Sequence, residues 1–107
     1  IDARRIGLMP EGSYVIVISR GKIVDENALC DALESGHLAG AALDATGSEP
    51  LEDDSRLWTL PNVILTPHSS ALTPELYEMR RQAFKANLRK FAAGEPLKNV
   101  CDKTTGF

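Results

Sequence analysis

The amino-acid sequence predicts an α/β protein built around a parallel sheet. Three short apolar segments, at 13–18, 38–43 and 62–66, have the length of strands. The first is almost continuously apolar rather than alternating, which is typical of a strand buried on both faces of a parallel sheet. Helical patterns at 26–35 and 74–93 follow the first and third strands, and this alternation indicates the α/β class.

The first two helices are predicted from their starts and stops. Asp2 can begin a short helix over 2–9. Asp25 is a good N-cap for a helix over 26–35, because its carboxylate can accept hydrogen bonds from the unpaired N–H groups of the first turn. Gly36 ends that helix as the glycine that follows the last turn.

The second half of the sequence predicts a loop, a turn and a long helix. The loop at 45–56 is rich in Gly, Ser, Pro and acidic residues, and one helical turn is predicted at 57–60. Thr73–Glu75 supplies a hydroxyl cap, a proline at the first helical position and an acid in the first turn of the helix over 74–93. Apolar and basic side chains interleave along this helix, so we expect it to dock on another part of the protein.

The predicted elements are few for a parallel sheet. Such a sheet needs helices on both faces, and three strands with one crossover helix leave one face bare. A chain of 107 residues buries only about 65% of its unfolded surface even when compact. We therefore expect this chain to be the tail of a larger α/β enzyme and to fold weakly alone.

Composition excludes several classes of protein. Hydrophobic residues make up 43% of the chain and charged residues 25%, which excludes a disordered or collagen-like chain. The net charge is −3 with no basic block, so we expect no nucleic-acid partner. The longest apolar run is far too short to cross a membrane. Two cysteines, Cys30 and Cys101, predict reduced structural thiols in a cytoplasmic protein.

One candidate functional side chain follows each predicted strand. Arg20 follows the first strand, Asp44 the second and His68 the third, and Glu49 lies just beyond Asp44. The carboxyl ends of parallel strands meet at one edge of a sheet, so we expect these four side chains to converge. Each also has an ordinary explanation, as a turn cap, a strand-end turn residue, a solvated loop acid or a structural histidine. His37, near a helix end, is expected to lie on the plain surface.

These residue types suit the reduction of a carbonyl that lies next to a carboxylate. Arginine offers a planar pair of donors that matches the carboxylate of a 2-keto acid. Histidine can move a proton near neutral pH, and a neighbouring carboxylate favours its protonated form and fixes its tautomer. The hydride must come from a cofactor, because no side chain supplies one.

Three other kinds of site fit less well. The cysteines and histidines are scattered rather than at zinc-ligand spacing, so no metal site is expected. A serine nucleophile could be drawn from Ser19 or Ser69, but no Gly-x-Ser-x-Gly elbow presents it. A phosphate-binding glycine turn of the Walker or Rossmann type is absent from the sequence.

Three blocks of sequence carry a resemblance to a known family. They are SRGKIVDENAL at 19–29, SGHLAGAALD at 35–44 continuing to Glu49–Leu51, and LPNVILTPH at 60–68 with Thr73–Glu75 after it. In this order and with these gaps, they resemble the NAD(P)-dependent D-isomer-specific 2-hydroxyacid dehydrogenases. The resemblance implies an enzyme that interconverts a D-2-hydroxy acid and a 2-keto acid with NAD or NADP.

The resemblance also implies roles for particular residues. Arg20 would anchor the substrate carboxylate, His68 would donate and accept the proton, and Glu49 would pair with His68. The cofactor contacts that it implies are Ile18, Ser19, Arg20, Asp44, His68, Ser70 and Ala71.

The fold that the resemblance implies is the C-terminal part of a Rossmann-type doubly wound parallel sheet, followed by a long helix that packs on the substrate domain. Residues 1–72 would be the C-terminal half of the dinucleotide-binding domain, and residues 73–107 the crossover helix and tail. The protein would be a cytoplasmic homodimer whose partner is a small 2-hydroxy or 2-keto acid, with no nucleic-acid or membrane partner.

Two alternatives from other functional classes stay open. The chain could be a truncated, non-catalytic module or pseudo-enzyme that interacts through its amphipathic helix. It could also be a relative that has lost reductase activity and serves as a nucleotide-sensing corepressor.

Overall fold

A three-stranded parallel sheet forms the centre of the computed structural model, which describes residues 1–106. Strands β1 (Ser13–Val17), β2 (Leu38–Leu43) and β3 (Val63–Leu65) lie side by side in sequence order. Parallel strands that follow one another outward in order are the arrangement found in one half of a doubly wound sheet. The predicted α/β class and Rossmann-type parallel sheet are confirmed.

Three α-helices and two 3-10 turns accompany the strands. They are α1 (Ala3–Ile6), a turn at Gly21–Ile23, α2 (Glu26–Glu34), a turn at Arg56–Trp58, and α3 (Pro74–Ala92). Helix α1 is shorter than predicted because its C-cap is already Gly7. The second turn begins one residue earlier than predicted, since the Ser55 hydroxyl accepts a hydrogen bond from Leu57 N and caps it.

The predicted helix caps are confirmed. Asp2, Asp25 and Thr73 each have an extended backbone, and each side chain accepts a hydrogen bond from the backbone N–H three residues later. These bonds satisfy N–H groups that have no partner within the helix, which fixes where each helix begins.

The core lies between α2 and one face of the sheet. Helix α2 packs on β2 and on α1, and Leu29 of α2 and Leu38 of β2 are completely buried. Cys30 is also buried, and its burial raises the pKa of its thiol. Cys101 is exposed, so the prediction of a structural thiol is wrong there. The remaining buried core residues are Ile6, Val17, Val24, Ala32, Leu33, Ala41, Leu43 and Leu57.

The opposite face of the sheet is open within residues 1–70. Tyr14 and Ile16 of β1 are 71% exposed, and Ile64 of β3 is 66% exposed. The prediction that β1 is buried on both faces is therefore wrong for this chain. Helix α2 covers only one face of the sheet. Val17 of β1 is buried on that face. The expectation of a bare sheet face is confirmed.

His37 is half-buried rather than a plain surface residue. Its Nε2 lies 3.1 Å from the carbonyl oxygen of Ile6, and its own carbonyl accepts a 2.9 Å hydrogen bond from Gly12 N. The side chain thus connects the end of α1 to the start of β2. Nothing in the sequence indicates this contact, because the partner is a main-chain oxygen 31 residues away.

The chain divides into two compact units after Ser70. The second unit begins at Ala71 and contains α3, on which Tyr77, Phe84 and Phe91 are all more than half exposed. The assignment of 1–72 and 73–107 to particular domains of an enzyme stays a prediction. No helix within residues 1–106 has the combination of length and apolar character that a membrane crossing requires.

Candidate active site

The carboxyl ends of the three strands are level with one another. Val17 pairs with Leu43 and Leu43 with Leu65, so the last residues of the strands form one row. The hydrogen bonding continues one residue further, since Asp44 N donates to Val17 O at 2.9 Å and Thr66 N donates to Leu43 O at 3.0 Å. The three segments that follow the strands therefore leave the sheet at one edge.

His68 and Glu49 are in direct contact at this edge. The Nδ1 atom of His68 lies 2.9 Å from Oε1 and 2.8 Å from Oε2 of Glu49. The side chains are 41% and 43% exposed, so the pair is open to solvent on one side. With Nδ1 facing the carboxylate, the other ring nitrogen, Nε2, points away from Glu49. The sequence predicts that these two residues converge, and in the structure they do.

The backbone at His68 has an unusual conformation. Its φ is +52°, in the left-handed region that a non-glycine residue rarely adopts. The turn is closed by a 2.9 Å hydrogen bond from His68 N to Thr66 O. A residue held in this region indicates that the surrounding contacts determine its position, which is common at functional sites.

Glu49 is held in its ionised form. The hydrogen bond with His68 is the largest cause that lowers the pKa of Glu49 below its ordinary 4.5, and partial burial opposes it. The backbone N–H of Thr46 and the positive charge of Arg20 lower that pKa further. Glu49 is therefore a carboxylate throughout the neutral range, and it can balance a positive charge on the imidazole.

Arg20 lies beside Glu49. The two residues border one cavity of about 350 Å³, which Lys22 and the backbone at Thr46 and Gly47 also line. The guanidinium donates through Nη1 to the carbonyl oxygen of its neighbour Ser19 at 2.8 Å, and the rest of this exposed side chain faces solvent. The structure thus brings a permanent cation to the same edge as the His68–Glu49 pair.

Asp44 fastens the segment that carries His68. Asp44 is only 6% exposed, and its carboxylate accepts three hydrogen bonds, from Thr66 Oγ1 at 2.5 Å, Ser69 N at 2.8 Å and Ser70 N at 2.9 Å. Hydrogen bonds from Ser70, Thr66 and the Ser69 backbone hold the pKa of Asp44 well below 3.8. The side chain of Asp44 therefore closes the turn on both sides of His68.

Sequence reasoning misses this fastening role. It places Asp44 in a converging group and, through the resemblance, among the cofactor contacts. The signal that could have found it is an acid at the end of the middle strand together with hydroxyl residues on both sides of His68, since such groups bond readily to each other and to nearby amides.

A larger cavity of about 680 Å³ opens in front of the pair. His68 and Glu49 are among its polar lining residues, and Leu51, Trp58 and Leu65 are among its apolar ones. The indole N–H of Trp58 donates to the carbonyl oxygen of Glu52 at 2.9 Å. From the sequence, Trp58 is only part of a helical turn, and its place in this wall is missed.

The far end of the long loop is fastened to α2. Arg56 donates to Glu34 at 2.6 and 3.1 Å and to Asp31 at 2.8 Å. These two acceptors raise the pKa of Arg56 above its ordinary value. The bonds keep the turn at Arg56–Trp58, and with it one wall of the larger cavity, against the helix.

The near end of the same loop touches the turn after Arg20. Gly21 lies so close to the loop that a Cβ atom added there would be 1.9 Å from the carbonyl carbon of Thr46 and 2.4 Å from Gly47 N. Only a glycine allows the two backbones to approach in this way. This contact keeps the segments of Arg20 and Glu49 together.

The residues predicted to contact a cofactor lie mainly at this edge. Ile18, just beyond β1, is 68% exposed, and Ser19 and Ser70 are exposed as well. Ala71 begins the second unit and is not placed with the others.

Residues 1–70 match the family model described as D-isomer specific 2-hydroxyacid dehydrogenase, NAD binding domain. The chain belongs to this family. The three strands and the edge at which they end lie within the residues that match the NAD-binding domain of this family. The resemblance seen in the sequence is confirmed.

Curated and solved relatives agree with this assignment. Glyoxylate/hydroxypyruvate reductase A of Salmonella newport is 35% identical over all 107 residues, which cover 34% of that protein. The D-isomer specific 2-hydroxyacid dehydrogenase of Xanthobacter autotrophicus Py2, solved with NADPH and MES, is 39% identical with a TM-score of 0.80 over 98% of this chain and 33% of that one.

A third relative is the NAD-dependent formate dehydrogenase of Staphylococcus aureus, solved in complex with NAD. It is 34% identical with a TM-score of 0.79 over 92% of this chain and 30% of that one. The chain thus spans about a third of the length of the relatives that it matches.

Gly21→Ala is expected to separate the two segments that carry Arg20 and Glu49. The new Cβ would overlap the Thr46 carbonyl, so the backbone must move, at a cost of about 1–3 kcal/mol in the free energy of unfolding. Chemical denaturation measures this cost. Gly7→Ala is the matched control, because a Cβ there meets nothing closer than 3.3 Å. Equal losses for both variants would contradict the close approach.

Asp44→Asn is expected to loosen the turn around His68. An amide has one acceptor oxygen where the carboxylate has two, so at least one of the Ser69 and Ser70 N–H groups loses its partner. Hydrogen exchange should show lost protection at these amides. Asp53→Asn, at the wall of the same cavity, should leave them protected. Full protection in the Asp44 variant would contradict the role.

The same bonds predict a pH dependence with a definite sign. The pKa of Asp44 is lower in the folded chain than its ordinary 3.8, so the stabilisation is present above about pH 4 and is lost only as the pH falls below 3.8. Protection of the Ser69 and Ser70 amides should therefore persist from pH 7 to pH 4. Protection that is already half lost at pH 3.8 would show that Asp44 titrates normally.

Proposed function

We propose that the protein interconverts a D-2-hydroxy acid and a 2-keto acid by hydride transfer with NAD or NADP. The observation that carries the proposal is the contact of His68 Nδ1 with both oxygens of Glu49, at the edge of a sheet that belongs to the NAD-binding domain family. Arg20 at the same edge supplies the cation that an acid substrate needs.

His68 is the proposed acid and base. In the reducing direction, protonated His68 gives the proton on Nε2 to the carbonyl oxygen of the 2-keto acid as C2 receives a hydride. The products are the hydroxy acid and neutral His68, which regains its proton from solvent. Glu49 fixes the orientation of the ring through its contact with Nδ1. The reverse direction uses neutral His68 as the base.

Arg20 is the proposed anchor for the substrate carboxylate. Its planar guanidinium can donate two parallel hydrogen bonds to a carboxylate, which sets the direction from which C2 meets the hydride donor. The exposed side chain and the adjacent cavity leave room for this contact. The apolar wall of Leu51, Trp58 and Leu65 can then receive the substrate's side chain.

The cofactor belongs beside these residues. A bound reduced nicotinamide nucleotide supplies the hydride, which no side chain can provide. Ile18, Ser19, Ser70 and Ala71 are the proposed contacts for its nicotinamide end, with Asp44, Arg20 and His68 next to it. Both cofactors occur among relatives, since the Xanthobacter structure was solved with NADPH and the Staphylococcus structure with NAD.

The wider proposal concerns the complete protein. Residues 1–72 would form the C-terminal half of its dinucleotide-binding domain, and residues 73–107 would lead to its substrate domain. It would act as a cytoplasmic homodimer on a small hydroxy or keto acid. The family match over residues 1–70 and the share of each relative that the chain covers support the division into domains.

His68→Asn is expected to lower kcat for 2-keto acid reduction by about 10²-fold or more, the usual scale for a lost general acid. Asparagine tolerates the left-handed backbone at φ +52°, so the turn keeps its shape while the proton donor is removed. Steady-state assays with glyoxylate or hydroxypyruvate and NADH or NADPH measure this. His37→Asn is the control and should retain kcat. An unchanged kcat in the His68 variant would exclude it as the acid.

Arg20→Lys is expected to raise the KM for the keto acid by about tenfold or more, because an ammonium group cannot make the two parallel bonds of a guanidinium. The KM for the cofactor should change less than the KM for the acid. Arg4→Lys, on the exposed face of α1, is the matched control. Normal kinetic constants for the acid in the Arg20 variant would argue against the anchor.

A further inference from the structure

Glu26, in the first turn of α2, makes a contact that helix formation does not require. Its Oε1 accepts a 2.5 Å hydrogen bond from the backbone N–H of Gly47, in the loop that carries Glu49. The side chain is half-buried, and a Cβ added at Gly47 would lie 3.3 Å from its carboxylate atoms. The carboxylate thus lies directly against the main chain of the loop.

This contact joins a short series of hydrogen bonds that ends at His68. Thr46 N donates to Glu49 Oε1 at 3.3 Å, and Thr46 Oγ1 donates to Ser48 O at 2.7 Å, so residues 46–49 form one tight turn. Glu26 is bonded to the middle of that turn, and Glu49 at its end contacts His68 Nδ1. Helix α2 is thereby connected to the proposed acid and base.

We propose that Glu26 is a positioning residue, which fixes the turn 46–49 on α2 and so holds the Glu49 carboxylate against His68. The proposal rests on the proposed function for its kinetic consequence only. Its structural part concerns contacts within residues 1–70 and can be tested without turnover. Glu26 acts through Gly47 and touches neither of the proposed reacting groups.

Two properties of the contact favour a positioning role. A hydrogen bond between a carboxylate and a backbone N–H is charge-assisted and stronger than a neutral one. The partner belongs to a loop, whereas the usual stabilising acid in a first helical turn faces the N–H groups of its own helix. In α2 that task is performed by Asp25, which accepts from Ala28 N at 3.1 Å.

Positioning and simple electrostatics predict opposite changes at Glu49 when Glu26 is removed. Loss of a neighbouring negative charge alone would lower the pKa of Glu49 further. Loss of the anchor would loosen the turn, weaken the bonds from His68 and Thr46, and raise that pKa toward 4.5. The other charged groups at the cavities that Glu49 borders are Arg20, Lys22, Asp44 and Asp53, and all are unchanged in the variants.

The test is a carboxyl ¹³C NMR titration of Glu49 in the complete protein, comparing wild type with Glu26→Ala and Glu26→Gln. We expect the pKa of Glu49 to rise in Glu26→Ala. In Glu26→Gln it should stay at or below the wild-type value, because the amide oxygen still accepts from Gly47 N while the charge is gone. An unchanged or lower pKa in Glu26→Ala would overturn the proposal.

Asp31→Ala is the matched control, since it removes a carboxylate from the same helix while Arg56 keeps its bonds to Glu34. It should leave the pKa of Glu49 unchanged. If Glu26→Ala does not fold, Glu26→Asp replaces it, because the shorter side chain cannot reach Gly47 N and the same rise is expected. A rise as large in Asp31→Ala would also overturn the proposal.

Kinetics separate this proposal from the proposed function. With 2-keto acid and NADH or NADPH, Glu26→Ala should lose about tenfold to a hundredfold in kcat, the scale for a misplaced catalytic group, and Glu26→Gln should recover most of it. If wild type turns over no keto acid, the proposed function fails while the titration still decides the role of Glu26. If wild type is active and both variants match it, the kinetic part of the positioning role is wrong.

Discussion

The level ending of three parallel strands is the constraint on which the site depends. Because Val17, Leu43 and Leu65 lie in one row, the segments after them must share one edge of the sheet. Arg20 and His68 come from its outer strands, and Asp44 from the middle one. Strand pairing alone therefore brings a cation, a carboxylate and an imidazole to the same edge of the sheet. No contact between their side chains is needed for this. The ladder of main-chain hydrogen bonds brings every side chain at the edge together.

Carboxylates bonded to main-chain N–H groups then determine where the loops at this edge lie. Asp44 accepts from Ser69 and Ser70 on one side of the site, and Glu26 accepts from Gly47 on the other. Loops carry most functional side chains but have few internal bonds, so their positions depend on such anchors. Both anchors come from regular elements of the fold, the end of β2 and the first turn of α2. Contacts within the fold therefore hold the imidazole and its carboxylate partner in place.

The sequence predicts the strands and helices of this molecule well, because the patterns that indicate them lie within short stretches of the chain. Strand and helix positions follow from apolar runs and from caps such as Thr73. Parallel strand order brings the segments after β2 and β3 to one edge of the sheet, while the exact place of Glu49 also depends on loop contacts. What the sequence could not predict are contacts between a side chain and a distant main-chain atom. Gly47 has no side chain that could reveal its bond to Glu26, and the half-buried state of His37 depends on the carbonyl of Ile6. The small number of predicted helices correctly indicates that the sheet face at Ile16 is open. The continuous apolar segment at 13–18, taken by itself, suggests that β1 is buried on both faces.

The long loop after β2 is held at both ends and is otherwise exposed. Glu26 fixes its start at Gly47 and Arg56 fixes its end on α2, while Glu52, Asp53 and Asp54 between these points face solvent. Substitutions or added residues in that middle stretch can reshape the cavity wall near Leu51 and Trp58 and leave the anchors of Glu49 in place. Changes in this one exposed segment can therefore alter the shape of the cavity while the contact of His68 with Glu49 is kept. A library of variants designed to change the shape of this cavity would do best to begin at residues 52–54.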